Sequence, residues 1–160
     1  MYSEKVMKHF RNPSNMGELD EPDVEVQVGN PTCGDMMTVY MDIEKKGDDK
    51  YVEDVKFETF GCGAAIATSS VATELVKGET IEEAEELEFE DIADKLGGLP
   101  KIKMHCSNLA SVAVHEALYQ YRKEEGMEIS QKLEKQHKSA LESKKAVEER
   151  REGQGKVFEG

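Results

Sequence analysis

Between residues 24 and 59 apolar and polar positions alternate with a period of two, and from residue 63 onward the spacing changes to that of helices. VEVQVG sets Val24, Val26 and Val28 against Glu25 and Gln27. MMTVYMDIEKK continues through Met37, Val39, Met41 and Ile43, and YVEDVKFETF repeats the pattern with Val52, then Val55, Phe57 and Thr59. Gly47 and Asp48 mark a turn between the last two runs. Three consecutive strands follow, most simply an antiparallel meander.

Helical spacing brackets these strands. YSEKVMKHFRNP places Tyr2, Val6 and Phe10 on one face of a short helix ended by Pro13. After Gly63, the residues Ala65, Ile66, Ser69, Ala72, Thr73 and Val76 share a face that ends at Gly78. Thr80 with Glu83 is a capping-box pattern opening a short acidic helix, and FEDIADKLGG is another, stopped by its glycines and Pro100. From Ser107 to Arg122, Leu109, Val112, Ala113, Leu118 and Tyr121 line a long amphipathic helix. Helices that flank strands without alternating with them predict an α+β domain: a three-stranded antiparallel sheet with helices packed on it. The expected boundaries are 1–126 for this domain and 127–160 for a polar, mixed-charge extension, helical or partly disordered, with a thin apolar stripe at Ile129, Leu133, Ala140 and Val147.

Charge narrows the partners. Among 160 residues, 34 acidic against 21 basic side chains give a net charge of -13, a field that repels nucleic acid and anionic membranes. Residues 79 to 94 hold nine carboxylates and no lysine or arginine, which fits a solvated helical face better than a docking surface. No stretch is apolar enough for a membrane helix, and MYSEKVMKHF lacks a secretory apolar core, so a cytoplasmic protein is expected. Three cysteines without an export signal argue against a disulfide framework and for thiolates kept for metal or sulfur chemistry.

Each cysteine sits at an element boundary: Cys33 in GNPTCGD, Cys62 in FGCGAA, and Cys106 in KMHCSNLAS. Glycines at 34, 61 and 63 permit sharp turns and close approach, and Pro31 stiffens the first loop. Cys62 and Cys106 fall at helix starts, where unpaired amides stabilise a thiolate, the form that binds metal and attacks sulfur. Lys103 and His105 add to this at Cys106. Three thiolates leave one position open on a tetrahedral metal or on a two-iron cluster. Asp35 and His105 each suit that position, and a carboxylate donor would hold iron less tightly than a fourth cysteine. His9, His115 and His137 have no thiol nearby in sequence and read as surface or satisfied residues.

YSEKVMKHFRNPSNMGEL, GNPTCGD, FETFGCGAAIATSS and LPKIKMHCSNLA, in that order over residues 2 to 125, resemble the iron-sulfur cluster assembly scaffold family, the IscU type that also forms the amino-terminal domain of NifU. The resemblance implies a [2Fe-2S] cluster held by Cys33, Cys62 and Cys106, with Asp35 in the same site and His105 as an alternative ligand. It implies that Cys106 accepts persulfide sulfur from a cysteine desulfurase, that zinc occupies the cluster-free form, and that finished clusters pass to apo-protein clients. A ferredoxin, an iron donor and a second copy of the chain are further expected partners. An Hsp70-type chaperone fits less well, because Lys101 replaces the central proline of the LPPVK peptide that bacterial members carry. The tail after Gly126 resembles neither further domain of full-length NifU.

Three other accounts compete. A zinc-bound sulfur acceptor of the SufU type would build no cluster; such chains carry an insertion between the second and third cysteine motifs and lack the histidine beside the third cysteine. A structural zinc module would need closed ligation. A cysteine hydrolase is disfavoured because adjacent His105 and Cys106 side chains diverge at a helix start.

Overall fold

The computed structural model describes residues 2–31, 34–100 and 104–159, without the side chains of 105–107, 151 and 153–159. Helix α1 (Glu4–Arg11) leads into strands β1 (Val24–Asn30), β2 (Asp35–Lys46) and β3 (Asp49–Thr59). Helices α2 (Gly63–Val76), α3 (Ile81–Glu85), α4 (Phe89–Lys95), α5 (Met104–Glu124) and α6 (Gln131–Glu159) follow. The sheet is an antiparallel meander in the order β1-β2-β3, as the alternation predicts. Val24, Val28, Met37, Val39, Met41, Ile43, Val52, Val55 and Phe57 are all buried in one core with α2 and α5. The break in alternation between Val52 and Val55 has a structural cause. Asp42 pairs with Asp54 but Ile43 pairs with Val52, so one extra residue of β3 bulges and both valines face inward.

Helix α2 departs from the amphipathic expectation. Ten of its fourteen residues are buried, because Ala, Ser, Thr and Val present so little bulk that α1, α4, α5 and β3 all close on it. Its hydroxyls are satisfied locally: Ser69 Oγ donates to the Ala65 carbonyl at 2.7 Å and Thr73 Oγ1 to that of Ser70 at 2.7 Å. Ser70 Oγ accepts from Ser14 N and meets His9 Nδ1, each at 2.8 Å, which ties the first helix and its following loop to α2. On α1, Val6 is buried but Phe10 is 43% exposed, so the expected apolar face is only partly covered. Thr80 caps α3 through Glu83 N, and Glu88 with Asp91 closes a capping box on α4. Among the described residues, no helix is long and apolar enough to cross a membrane.

The chain beyond Gly126 is not an exposed helix. Helix α6 lies against β1 and α5, and Leu133, Ala140 and Val147 are buried in that contact. The expectation of surface or satisfied histidines holds at His9 and His137 and fails at His115. His115, on α5, is 2% exposed with neither ring nitrogen hydrogen-bonded, although the backbone of Glu85 and Leu87 lies near the ring. His137, on α6, stacks on Tyr119 with centroids 3.8 Å apart, and its Nδ1 lies 2.6 Å from Glu116 Oε1.

Candidate metal centre

The site is assembled where strands end and helices begin. Asn30 and Asp35 pair across the mouth of the β1-β2 turn, closed by Gly34 N donating to the Asn30 carbonyl at 2.7 Å. Gly34 takes φ +76°, a left-handed conformation that glycine adopts at little cost. Asp35 thus opens β2, its carboxyl group facing the loop that leaves β3. That loop is anchored: Thr59 Oγ1 donates to the Met36 carbonyl at 2.9 Å and accepts from Gly61 N at 3.2 Å.

Gly61 is where the two loops meet. A Cβ at this position would lie 2.8 Å from Asp35 Oδ2 and 2.8 Å from the Ala65 Cβ, so only a residue without a side chain lets the carboxylate rest there. Cys62 follows immediately as the N-cap of α2, half-exposed, with φ -68° and ψ 172°. Its sulfur makes no capping bond, while its carbonyl accepts the first helical bond, from Ile66 N at 3.2 Å. The positive end of α2 therefore lies beside the sulfur of a partly exposed residue with an extended backbone. Gly63 also has a packing role, since a Cβ there would meet the Phe10 ring at 3.1 Å.

The third motif approaches through α5. This helix begins at Met104, three residues before the expected Ser107, so His105 and Cys106 occupy its first turn. One turn later, Asn108 and Leu109 share a cavity of about 440 Å³ with Gly29, Asn30 and Pro31, the residues that lead to Cys33. The described flanks of the three cysteine motifs thus converge: Asp35 on Gly61 beside Cys62, and Asn30 with Pro31 across from Asn108. Cys33 and Lys103 lie outside the described residues, as do the side chains of His105 and Cys106. Among the described residues no cluster of three metal-ligating side chains forms, three of the five proposed donors being outside that set.

A family model for the NifU-like N terminal domain matches residues 1–128. The chain belongs to that family. It is 48% identical over 148 residues to "Iron-sulfur cluster assembly scaffold protein IscU 1" of Archaeoglobus fulgidus, an alignment covering 88% of this chain and 94% of that one. It is 46% identical over 129 residues to the "Iron-sulfur cluster assembly scaffold protein IscU" of Azotobacter vinelandii, covering 79% and 98% respectively. Among solved structures, a candidate cluster assembly scaffold for the SUF system from Fervidobacterium islandicum AW-1 superposes with a TM-score of 0.56 at 25% identity. That superposition covers 73% of this chain and 96% of the other. The IscU-type resemblance and the α+β architecture both hold.

Two features of the site escape a reading of the sequence. Phe60, between the end of β3 and Gly61, is fully exposed, and Phe10 covers Gly63 from α1. The only sequence signal for Phe60 is that it follows the last residue of the alternating run; Phe10 gives none, because its helical spacing reads as core.

Proposed function

We propose that this chain is a scaffold on which [2Fe-2S] clusters are assembled and from which they pass to apo-proteins. The scaffold role is that of its curated relatives. In this reading Cys33, Cys62 and Cys106 hold the cluster, Asp35 supplies a labile fourth donor, and His105 replaces it in a second state. The observation that carries the reading is the seat of the Asp35 carboxylate on Gly61, one residue from the Cys62 N-cap. An oxygen donor at the start of β2 and a sulfur donor at the N-cap of α2 meet at one rim in this reading, and Gly61 has no side chain to intervene. A hard carboxylate among soft thiolates suits a cluster that must leave.

Sulfur arrives when the Cys106 thiolate attacks the sulfane sulfur of a cysteine desulfurase persulfide; the new S–S bond forms as the old one breaks, and the desulfurase cysteine leaves as thiolate. Reduction of that sulfur to sulfide calls for an electron donor of the ferredoxin class. Zinc fits the same donors in the cluster-free form. The exposed Phe60 gives the rim an apolar contact for a protein partner.

A second reading is the SufU type, a zinc-dependent sulfur acceptor in which the metal gates Cys106; a solved structure of the SUF system shares the fold. Anaerobic incubation with iron, cysteine and a desulfurase separates the two. The scaffold reading expects the visible absorption of a [2Fe-2S] centre; retention of zinc without a chromophore would select the second.

A further inference from the structure

Helix α6 makes a set of contacts that the scaffold role leaves unused, and the whole helix lies beyond the residues matched by the family model. Its amino half is fastened to α5, where His137 stacks on Tyr119 and meets Glu116. Its later turns are fastened to β1 and the turn after it. Val147, 1% exposed, sits over Gly29: a Cβ on that glycine would lie 3.1 Å from Val147 Cγ2 and 2.6 Å from Met36 Sδ. Arg150 Nη1 then donates to the Pro31 carbonyl at 2.5 Å, two residues before Cys33.

Between these attachments is the cavity of about 440 Å³ that has Asn30, Pro31, Asn108 and Val112 on one side and Gln136 and Ala140 on the other. At this point the turn after β1 and the second turn of α5 face open space, and α6 bridges the two. We propose that α6 is a strap that sets the spacing between the chain entering Cys33 and the helix whose first turn carries Cys106, with Val147 and Arg150 as its positioning residues. The use of that spacing, to hold two metal-binding sulfurs in register, rests on the scaffold reading. A strap of this kind stores no chemistry. It raises the fraction of molecules whose donors are already in place, and apparent metal affinity scales with that fraction.

The full-length chain carrying Val147→Asp with Arg150→Ala tests this, with Arg150→Ala alone as the variant least able to disturb folding, since Arg150 is exposed. Two readouts are taken: hydrogen exchange of the amides of residues 24–30, and titration with Co2+ alone, followed by the thiolate-to-metal absorption band. The expected result is faster exchange at residues 27–30 with unchanged exchange in β3. If release leaves about a tenth of the molecules competent, Co2+ affinity falls about tenfold. Arg150→Ala moves both in the same direction by less, and Arg150→Lys recovers part of the loss. The proposal is overturned if α6 amides exchange freely in the double variant while exchange at residues 27–30 and Co2+ affinity stay as in the parent. It is equally overturned if Arg150→Ala changes neither. Should the parent bind no Co2+ through thiolates, the scaffold reading fails, and the exchange data alone decide for or against the strap.

Discussion

Gly61→Ala is the smallest change that separates the seat of Asp35 from its identity. The new methyl would lie 2.8 Å from Asp35 Oδ2, 2.9 Å from its Cγ and 2.8 Å from the Ala65 Cβ, against 3.4 Å for ordinary contact. The backbone of Gly61 is not left-handed, so the cost is steric rather than conformational. The carboxylate, being the free end of a flexible side chain, gives way first, and the retreat needed exceeds the tolerance of about 0.5 Å within which a donor stays productive. Ala65 cannot yield as cheaply because it is fixed in α2, so a stability loss of about 1–3 kcal/mol accompanies the displacement. At about 3 °C per kcal/mol for a chain of this size, the melting temperature drops measurably without loss of fold. The assay is transfer of a reconstituted cluster to an apo-ferredoxin, followed by circular dichroism, beside a thermal scan. Gly61→Ala is expected to slow transfer about tenfold, matching Asp35→Ala. A variant that melts lower yet transfers at the parental rate would refute the claim that Gly61 exists to seat the carboxylate.

Asp35→Ala itself is expected to slow transfer about tenfold while reducing cluster formation much less, as loss of one oriented metal partner would; faster transfer would count against a labile oxygen donor. His115 offers a pH test. Burial, and secondarily Lys132, hold its pKa below the ordinary 6.5, so the unfolded chain takes up protons first as pH falls, and stability declines below pH 6.5. Glu116 acts oppositely: burial raises its pKa above 4.5, so the folded state protonates first and gains stability as pH falls toward 4.5. His115→Leu therefore removes the decline specific to the histidine and raises the unfolding free energy by about 1 kcal/mol at pH 7, because two unpartnered buried nitrogens are gone. Denaturant titrations across pH 5 to 7.5 check it; identical pH profiles for variant and parent would contradict it.

The strands were legible because one buried face forces alternation, and even the bulge left a trace in the spacing of Val52 and Val55. The helix start beside Cys62 was legible because glycine placement is local; α5 begins at Met104, three residues before the expected Ser107, because the apolar spacing that marks the helix starts only at Leu109. What escaped depends on the far side of a contact. Small residues in α2 fit a one-sided or an enclosed helix equally well, and only the packing of its neighbours decides. Phe10 reads as core by spacing but lies 43% exposed over Gly63. In α6 the apolar stripe at Leu133, Ala140 and Val147 was legible and recurs every seven positions, but that it docks on β1 and α5 was not. The seat of Asp35 could not be read at all, because two glycines and an aspartate carry no periodicity.

In the proposed scaffold, three sulfurs and one oxygen or nitrogen donor hold a two-iron cargo at one rim. Anomalous scattering at the iron edge, from crystals grown anaerobically after reconstitution, decides whether they do. Two iron peaks are expected at roughly 2.3 Å from the sulfurs of Cys33, Cys62 and Cys106, with Asp35 or His105 completing the set. Iron bound elsewhere, or a single zinc peak at these sulfurs under the same conditions, would contradict it.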